Sequence, residues 1–208
     1  MKKIFALTLL LLISVFSVCQ ASLNKTYDDR QSRAIVRATA MEQANDIDPE
    51  STILINLKKI YFFDSRFYDN ASSHYVPRHY FTIALLGNAA EKFDKIMNYS
   101  VNGSSYSLPI SVETRLNNKK QVVLSAGTCE FATQSNNAFM TALKNGTPIT
   151  ITIRMKAKGN NLLKYTIAKD TLKDLGEVVN YDLYNDQEFL AKAKKASHKP
   201  TIAAPKKK

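Results

Sequence analysis

Alternation of apolar and polar residues is the dominant pattern along the chain, and it is typical of half-buried β-strands. In the clearest stretch, every second residue from Ile149 to Met155 is apolar, and a turn at Gly159-Asn160-Asn161 leads into a second strand that ends near Ala168. Asn102-Gly103 predicts another hairpin, since glycine tolerates the positive φ of such turns. The pattern predicts further strands that begin near Thr52 and span His79–Leu86, Ile110–Leu116 and Gln121–Leu124.

Apolar residues spaced three and four apart predict short helices in other segments. One begins at Asp28 or Asp29 and ends near Ala44, on a narrow stripe formed mostly by alanines. Another is capped by Ser135 or Asn136 and ends at Gly146. The other predicted helices span Asn88–Asn98, Thr171–Val179 and Asp186–Lys195.

Hairpins outnumber strand–helix–strand crossovers in this prediction, which favours an α+β fold. We predict one globular domain over residues 51–190, built mainly from an antiparallel β-sheet or a small sandwich, with about seven or eight strands and about three or four short helices. A polar, partly helical segment, residues 22–50, precedes this domain. A lysine-rich tail, residues 191–208, follows it and is expected to be disordered.

The first 21 residues have the layout of a secretory signal peptide. Lys2 and Lys3 precede an apolar run from Ile4 to Phe16, which at thirteen residues is too short to cross a hydrocarbon core of about 30 Å comfortably as a helix. Cleavage near Ala21 would release a periplasmic or secreted protein. Lipid attachment at Cys19 and an uncleaved N-terminal anchor are the alternatives.

The net charge of +11 describes the ends of the chain more than its folded part. Seven lysines between residues 191 and 208 and two in the signal peptide supply nine of these charges, so residues 22–190 carry only +2. We therefore expect no nucleic-acid partner. The tail is expected to make weak electrostatic contact with an anionic membrane or envelope polymer. A purely solubilising role is the alternative.

Cys129 is the one cysteine that remains once the signal peptide is removed, so no intramolecular disulfide is expected. A catalytic thiol needs a lowered pKa and a nearby base. His74 and His79 are the candidate bases, whereas the neighbouring Glu130 would raise the pKa of the thiol. A Cys129-dependent hydrolase is therefore an alternative function. A buried thiol and an intermolecular disulfide are the other interpretations of this cysteine.

Motifs for phosphate binding, dinucleotide binding, zinc proteolysis and serine hydrolysis do not occur in the sequence. His74 and His79 would need a carboxylate such as Asp64 or Asp69 to form a metal site. Their spacing of five residues places them on neither one helix face nor one strand face. We expect no metal and no cofactor.

The segment from Asp64 to Arg78 has no regular period and combines aromatic rings with arginines, which are enriched at binding hot spots. The phenylalanines of this region are assigned to the core. The candidate binding residues are Arg66, Tyr68, Tyr75 and Arg78, together with Lys206, Lys207 and Lys208 of the tail.

The C-terminal half follows a recognisable order of predicted elements: a strand, a strand ending at Cys129, a helix ending in Ala-Leu-Lys-Asn-Gly146, two strands and a short helix. Over residues 110–179 this order resembles the invasion-associated locus B family of small periplasmic bacterial proteins. The resemblance implies a periplasmic, β-rich, non-enzymatic protein and transfers no functional residue. The second cysteine that is common in that family is missing here, so the local disulfide is missing as well.

Together these observations predict an exported bacterial envelope protein that binds an envelope or secreted protein without catalysing a reaction. Its role would lie in secretion, virulence or envelope maintenance. Besides the hydrolase, the remaining alternative is an exported enzyme inhibitor that presents the loop of residues 64–78 to an enzyme's cleft.

Overall fold

The computed structural model of the chain describes residues 23–44, 50–87, 90–132, 137–156 and 161–197. The expected signal peptide, with its cleavage site at Ala21, lies outside these ranges, as do Lys206, Lys207 and Lys208 of the tail. No helix within the described ranges is long and apolar enough to cross a membrane.

Twelve β-strands and three α-helices occur in the described residues. In chain order the strands are β1 (Asn24–Asp28), β2 (Arg33–Gln43), β3 (Thr52–Phe62), β4 (Tyr68–Asp69), β5 (His74–Tyr75), β6 (Arg78–Leu86), β7 (Phe93–Val101), β8 (Ser104–Pro109), β9 (Ser111–Leu116), β10 (Val122–Ala132), β11 (Ile149–Met155) and β12 (Leu162–Thr166). The helices are α1 (Ala138–Asn145), α2 (Lys169–Asn180) and α3 (Gln187–Ser197), and 3-10 turns span Ser65–Phe67 and Leu183–Asn185.

The strand pairs of the described residues are all antiparallel. Six strands form a large sheet in the order β1-β2-β3-β6-β10-β9, four form a second sheet in the order β12-β11-β7-β8, and β4 pairs with β5. Buried side chains of both larger sheets, α1 and α2 form one hydrophobic core. The predicted α+β class with mainly antiparallel sheet is thereby confirmed.

The helix predicted over residues 28–44 is wrong, because this segment forms β2 with the short strand β1 before it. Buried residues alternate along β2 at a spacing of two, namely Ala34, Val36, Ala38 and Ala40. Met41, which a helical stripe would bury, is 53% exposed. Alanines four apart fit a helix and a strand equally well, and the pairing of β2 with β3 favours the strand. The N-terminal segment therefore belongs to the large sheet.

The helix predicted over residues 88–98 is also wrong in its described part, where β7 begins at Phe93. The burial of Phe93 and Met97 fits the predicted helix. The burial of Tyr99, two residues after Met97, and the 50% exposure of Ile96 fit a strand instead. A spacing of four again fits both kinds of element. The pairing of β7 with β8 and β11 selects the strand.

The predicted hairpins and C-terminal helices are confirmed. Asn102 and Gly103 adopt φ angles of 49° and 78° in the turn between β7 and β8. Helix α1 ends at Gly146 with a φ of 64°, and its N-cap is Asn137, whose side chain accepts a hydrogen bond from the N–H of Phe139. The caps predicted at positions 135 and 136 lie outside the described residues.

The connection between β3 and β6 is the part of the fold that carries the candidate binding residues. These two strands are neighbours in the large sheet and pair from Thr52↔Leu86 to Ile60↔Arg78. Residues 63–77 extend beyond the end of this pairing and contain the 3-10 turn Ser65–Phe67 and the small β4–β5 hairpin. The predicted aperiodic loop is thus an ordered insertion at one end of the sheet.

Candidate binding site

The four described residues that were predicted to bind a partner lie together on residues 64–69 and 74–78, which we call the hairpin surface. Arg66, Tyr68 and Arg78 line a concavity of about 320 Å³. Tyr75 pairs with Tyr68 in the β4–β5 register, and the two rings meet nearly edge to face with their centroids 5.0 Å apart. The other residues that line the concavity are Phe67, Asp69, Val76, Pro77 and Ala132.

Aromatic contacts join the hairpin surface to the end of β3. The ring of Phe67 stacks on that of Phe62, with the centroids 4.8 Å apart. The ring of Tyr75 packs edge-on against Phe63, with the centroids 5.1 Å apart. Because aromatic pairs have preferred geometries, these contacts favour one defined shape of the hairpin surface.

The 3-10 turn Leu183–Asn185 supports the hairpin surface from a second side. The backbone N–H of Tyr75 donates a hydrogen bond to the hydroxyl of Tyr184. The ring of His74 stacks on the ring of Tyr184 with the centroids 3.6 Å apart, and Tyr184 meets Tyr61 of β3 edge-on. A segment more than a hundred residues away in the chain therefore holds the β4–β5 hairpin in place.

Both arginines of the hairpin surface are paired with carboxylates. The Arg66 guanidinium donates two hydrogen bonds to Asp64, from Nε to Oδ1 at 3.0 Å and from Nη2 to Oδ2 at 2.9 Å. These hydrogen bonds lower the pKa of the Asp64 carboxyl to about 2. Arg78 forms an ion pair with Glu130 of β10. The two guanidinium carbons lie 5.9 and 5.2 Å from the centroid of the Phe67 ring.

Exposure distinguishes the residues that a partner can reach from those that support them. Tyr68 is 40% exposed and the Arg66 side chain is 79% exposed, whereas Tyr75 is half-buried. Asp69 accepts hydrogen bonds from the Ser72 hydroxyl and the Ala71 N–H, and these bonds lower its pKa. The residues that line the concavity include no Cys, His, Ser or Lys. Tyr68 and Arg66 are thus the side chains of the hairpin surface that a partner can reach most directly.

Cys129 lies on the core-facing side of β10, opposite Phe81 of β6, and is 4% exposed. Its Sγ is 3.7 Å from the carbonyl oxygen of Phe81. Burial raises the pKa of the thiol to about 12. His79 lies on the same face of β6 as Phe81. Neither of its ring nitrogens, however, has a hydrogen-bond partner among the described residues. This part of the chain thus forms no thiol–imidazole pair of the kind that the hydrolase alternative needs.

We expect the native thiol of Cys129 to react with Ellman's reagent at least about a hundredfold more slowly than the unfolded thiol, because its modification requires the β6–β10 region to open. The measurement compares labelling rates in buffer and in urea at neutral pH, in a chain with Cys19→Ser so that one thiol is observed. Native labelling as fast as that of the unfolded chain would contradict the prediction and favour the hydrolase alternative.

His74 and His79 do not face a common point. His74 is exposed and stacks on Tyr184 at the hairpin surface, whereas His79 is 4% exposed and faces the core. Within the described ranges there is no group of three His, Cys, Asp or Glu residues that could hold a metal ion.

Phe67 and Ala132 line the concavity although the sequence analysis did not assign them to a binding site. Phe67 was assigned to the core, but it is half-buried and lies beneath both arginines of the hairpin surface. Its position directly after Arg66 was a signal for this role. Ala132 comes from the end of β10 and joins the lining through the pairing of that strand with β6, which no local pattern predicts.

Comparison with known proteins assigns no family to the chain. No family model and no curated protein matches it. A crystal structure of a protein of unknown function from Burkholderia pseudomallei K96243 is similar over 48% of this chain, with 11% identical residues and a TM-score of 0.31. The chain spans 55% of the length of that protein.

Proposed function

We propose that the protein is an exported bacterial envelope protein that binds another envelope or secreted protein through the hairpin surface, without catalysing a reaction. The observation that carries the proposal is that Arg66, Tyr68 and Arg78 line one concavity, with Tyr75 packed against Tyr68. Tyrosine and arginine in a preformed depression are typical of the residues that dominate protein–protein binding energy.

The charge pairing of the hairpin surface favours a protein partner. Asp64 and Glu130 balance the charges of Arg66 and Arg78, so the surface lacks the strong positive field that attracts polyanions. A concavity of about 320 Å³ lined by Phe67, Val76 and Pro77 accommodates a bulky partner side chain. Because the aromatic contacts already order the hairpin surface, binding would cost little conformational entropy.

The remaining parts of the proposal come from the sequence. They are the signal peptide of residues 1–21, a periplasmic or secreted location, a role in secretion, virulence or envelope maintenance, and the resemblance of residues 110–179 to the invasion-associated locus B family. The lysines of the tail would add weak contact with an anionic membrane or envelope polymer. The shared core of the two larger sheets supports the sandwich arrangement as part of the same proposal.

Substitution of the exposed residues tests the proposed surface. We expect Tyr68→Ala and Arg66→Ala to reduce recovery of the partner about five- to thirtyfold, as loss of a hot-spot side chain does. The measurement is a pull-down of the tagged mature protein from an envelope extract of its own organism, followed by quantitative mass spectrometry.

The chain offers matched controls for both substitutions. Tyr106 is 41% exposed against 40% for Tyr68 and also contacts a second tyrosine, and Arg115 is an exposed arginine on β9. Tyr106→Ala and Arg115→Ala should recover the partner as the unchanged protein does. Equal recovery by all four variants would remove the hairpin surface from the proposal. A recovered enzyme whose activity falls on binding would support the inhibitor alternative instead.

A further inference from the structure

A second pocket of about 300 Å³ lies between the large sheet and the helices α1 and α2. Its inner wall contains Lys59 of β3 and His79 of β6, and Lys144 of α1 lies exposed at its rim. The other residues that line it are Ala132, Met140, Thr141, Val179 and Asn180. It contains none of the four described binding candidates of the hairpin surface, and Ala132 is the lining residue that the two pockets share.

Lys59 and His79 are partners in the β3–β6 register and are 7% and 4% exposed. The Nζ of Lys59 donates hydrogen bonds to the carbonyl oxygens of Val179, at 2.9 Å, and Tyr181, at 2.6 Å. These carbonyls lie at the C-terminal end of α2, where the helix dipole favours a cation. Since an ammonium group has three N–H donors, one donor of Lys59 is left for a ligand.

His79 is the feature of this pocket that points to a ligand. Both of its ring nitrogens are buried, and neither has a hydrogen-bond partner among the described residues. Buried polar groups without partners are rare in folded proteins, because they lose their hydrogen bonds to water without replacement. His79 lines the pocket beside Lys59, so a polar ligand there would lie next to the imidazole ring and the ammonium group together.

The charges around the pocket determine the sign of this ligand. Lys59 and Lys144 line it, and no carboxylate is among its lining residues. Asp182 is the acidic residue that acts electrostatically on Lys59. The two lysines outweigh the partial negative charge of the α2 carbonyls that Lys59 binds, so the pocket favours an anion, which would also accept a hydrogen bond from His79.

We infer that this pocket binds a small oxyanion, a carboxylate or phosphate group, which accepts hydrogen bonds from Lys59 and His79 and pairs with Lys144 at the rim. Its volume of about 300 Å³ accommodates one such group on a short stem. Met140 and Val179 supply apolar contact for that stem.

The helical walls of the pocket are closely packed, which preforms the site. A Cβ atom at Gly176 of α2 would lie 2.9 Å from the carbonyl oxygen of Leu143 in α1, so glycine permits the approach of the two helices. Lys144 follows Leu143 directly. The side-chain amide of Asn180 donates a hydrogen bond to the backbone carbonyl oxygen of Lys144 at 3.3 Å. Both contacts hold the rim lysine near the C-terminal end of α2.

Anion binding should weaken as the pH rises above neutrality, because it favours the charged form of Lys59. Burial lowers the pKa of Lys59 to about 8, with Asp182 opposing and Lys144 adding to the shift. The other titratable side chains beside Lys59 are its register partner His79 and Tyr61, whose ring centroid lies 5.8 Å from the Lys59 Nζ. Between pH 7 and pH 9 the charged fraction of Lys59 falls about tenfold, and affinity should fall by up to about the same factor.

Histidine-selective NMR tests the inference, because the chain has only three histidines. The mature protein, labelled with ¹³C-histidine, is titrated separately with sodium propionate and sodium phosphate at pH 7 and constant ionic strength set by NaCl. His79 is assigned by its loss in His79→Gln. We expect a saturable shift of the His79 signal without a comparable shift of His74. Saturation by propionate identifies a carboxylate site, saturation by phosphate identifies a phosphate site, and saturation by both supports an oxyanion site of low selectivity.

Substitution of single exposed lysines distinguishes anion binding in the pocket from general electrostatic attraction to the protein, and it leaves the core undisturbed. Lys144→Ala should weaken binding about two- to fivefold, as loss of one exposed ion-pair partner does. Lys95→Ala removes another exposed lysine, on β7 of the other sheet, and should leave binding unchanged. The inference is overturned if neither anion gives a saturable shift, if the two variants weaken binding equally, or if propionate affinity is the same at pH 7 and pH 9.

Discussion

Replacement of Phe139 by Ala is expected to lower the free energy of unfolding by about 3–5 kcal/mol, the largest effect of a single substitution that we predict. Phe139 of α1 is fully buried. Its ring contacts Phe81 of β6, Tyr99 of β7 and Phe131 of β10, with centroid distances of 4.8, 5.1 and 5.7 Å. The ring thus joins both larger sheets to the helix, and its removal leaves a cavity that three strands border.

Urea unfolding monitored by circular dichroism measures this loss. The control is Leu162→Ala, since Leu162 lies on β12 at the edge of the second sheet and is 55% exposed. That substitution should change the free energy of unfolding by less than about 0.5 kcal/mol. A loss below about 1 kcal/mol for Phe139→Ala would contradict the central position of this ring in the core.

Stability is expected to decrease by up to about 3 kcal/mol as the pH falls from 6.5 to 4, because of His79. Burial, with a smaller contribution from Lys59, lowers the pKa of His79 from 6.5 to about 4. In this window the unfolded chain binds a proton at position 79 that the folded chain does not. Protonation therefore stabilises the unfolded state as the pH decreases, and the effect is complete below about pH 4.

The variant His79→Phe should remove this part of the pH dependence. The measurement is the free energy of unfolding in urea at half-unit pH intervals, in buffers free of phosphate. It compares His79→Phe with the unchanged protein and with His74→Phe, in which an exposed histidine is replaced. The carboxyls of Asp64 and Asp186, whose pKa values hydrogen bonds lower to about 2, lose their stabilising effect mainly below pH 4. Equal slopes for His79→Phe and the unchanged protein between pH 6.5 and 4 would contradict the prediction.

The parts of the fold that follow from neighbouring residues could be predicted from the sequence. The turn at Asn102-Gly103 and the hairpin of β11 and β12 depend on local backbone preference and on alternation over a few residues. Strand β2 could not be identified in this way, because its alanines fit two periods and the choice depends on pairing with β3.

The same distinction applies to the two sites. Arg66, Tyr68, Tyr75 and Arg78 lie within thirteen residues of one another, so a short hairpin was sufficient to bring them together. The role of Lys59 could not be predicted, because its backbone acceptors at Val179 and Tyr181 are 120 and 122 residues away. Its pairing with His79 likewise depends on the register between β3 and β6.

The insertion between β3 and β6 separates the residues of the proposed binding surface from those that maintain the fold. The ladder between these strands is complete at Ile60↔Arg78, before the inserted residues 63–77 begin, and the insertion contributes no residue to the main core. Under the proposed function, substitutions there would change the binding surface while the β3–β6 ladder is kept. Diversification under selection by a changing counterpart would therefore be concentrated in these fifteen positions rather than spread over the chain.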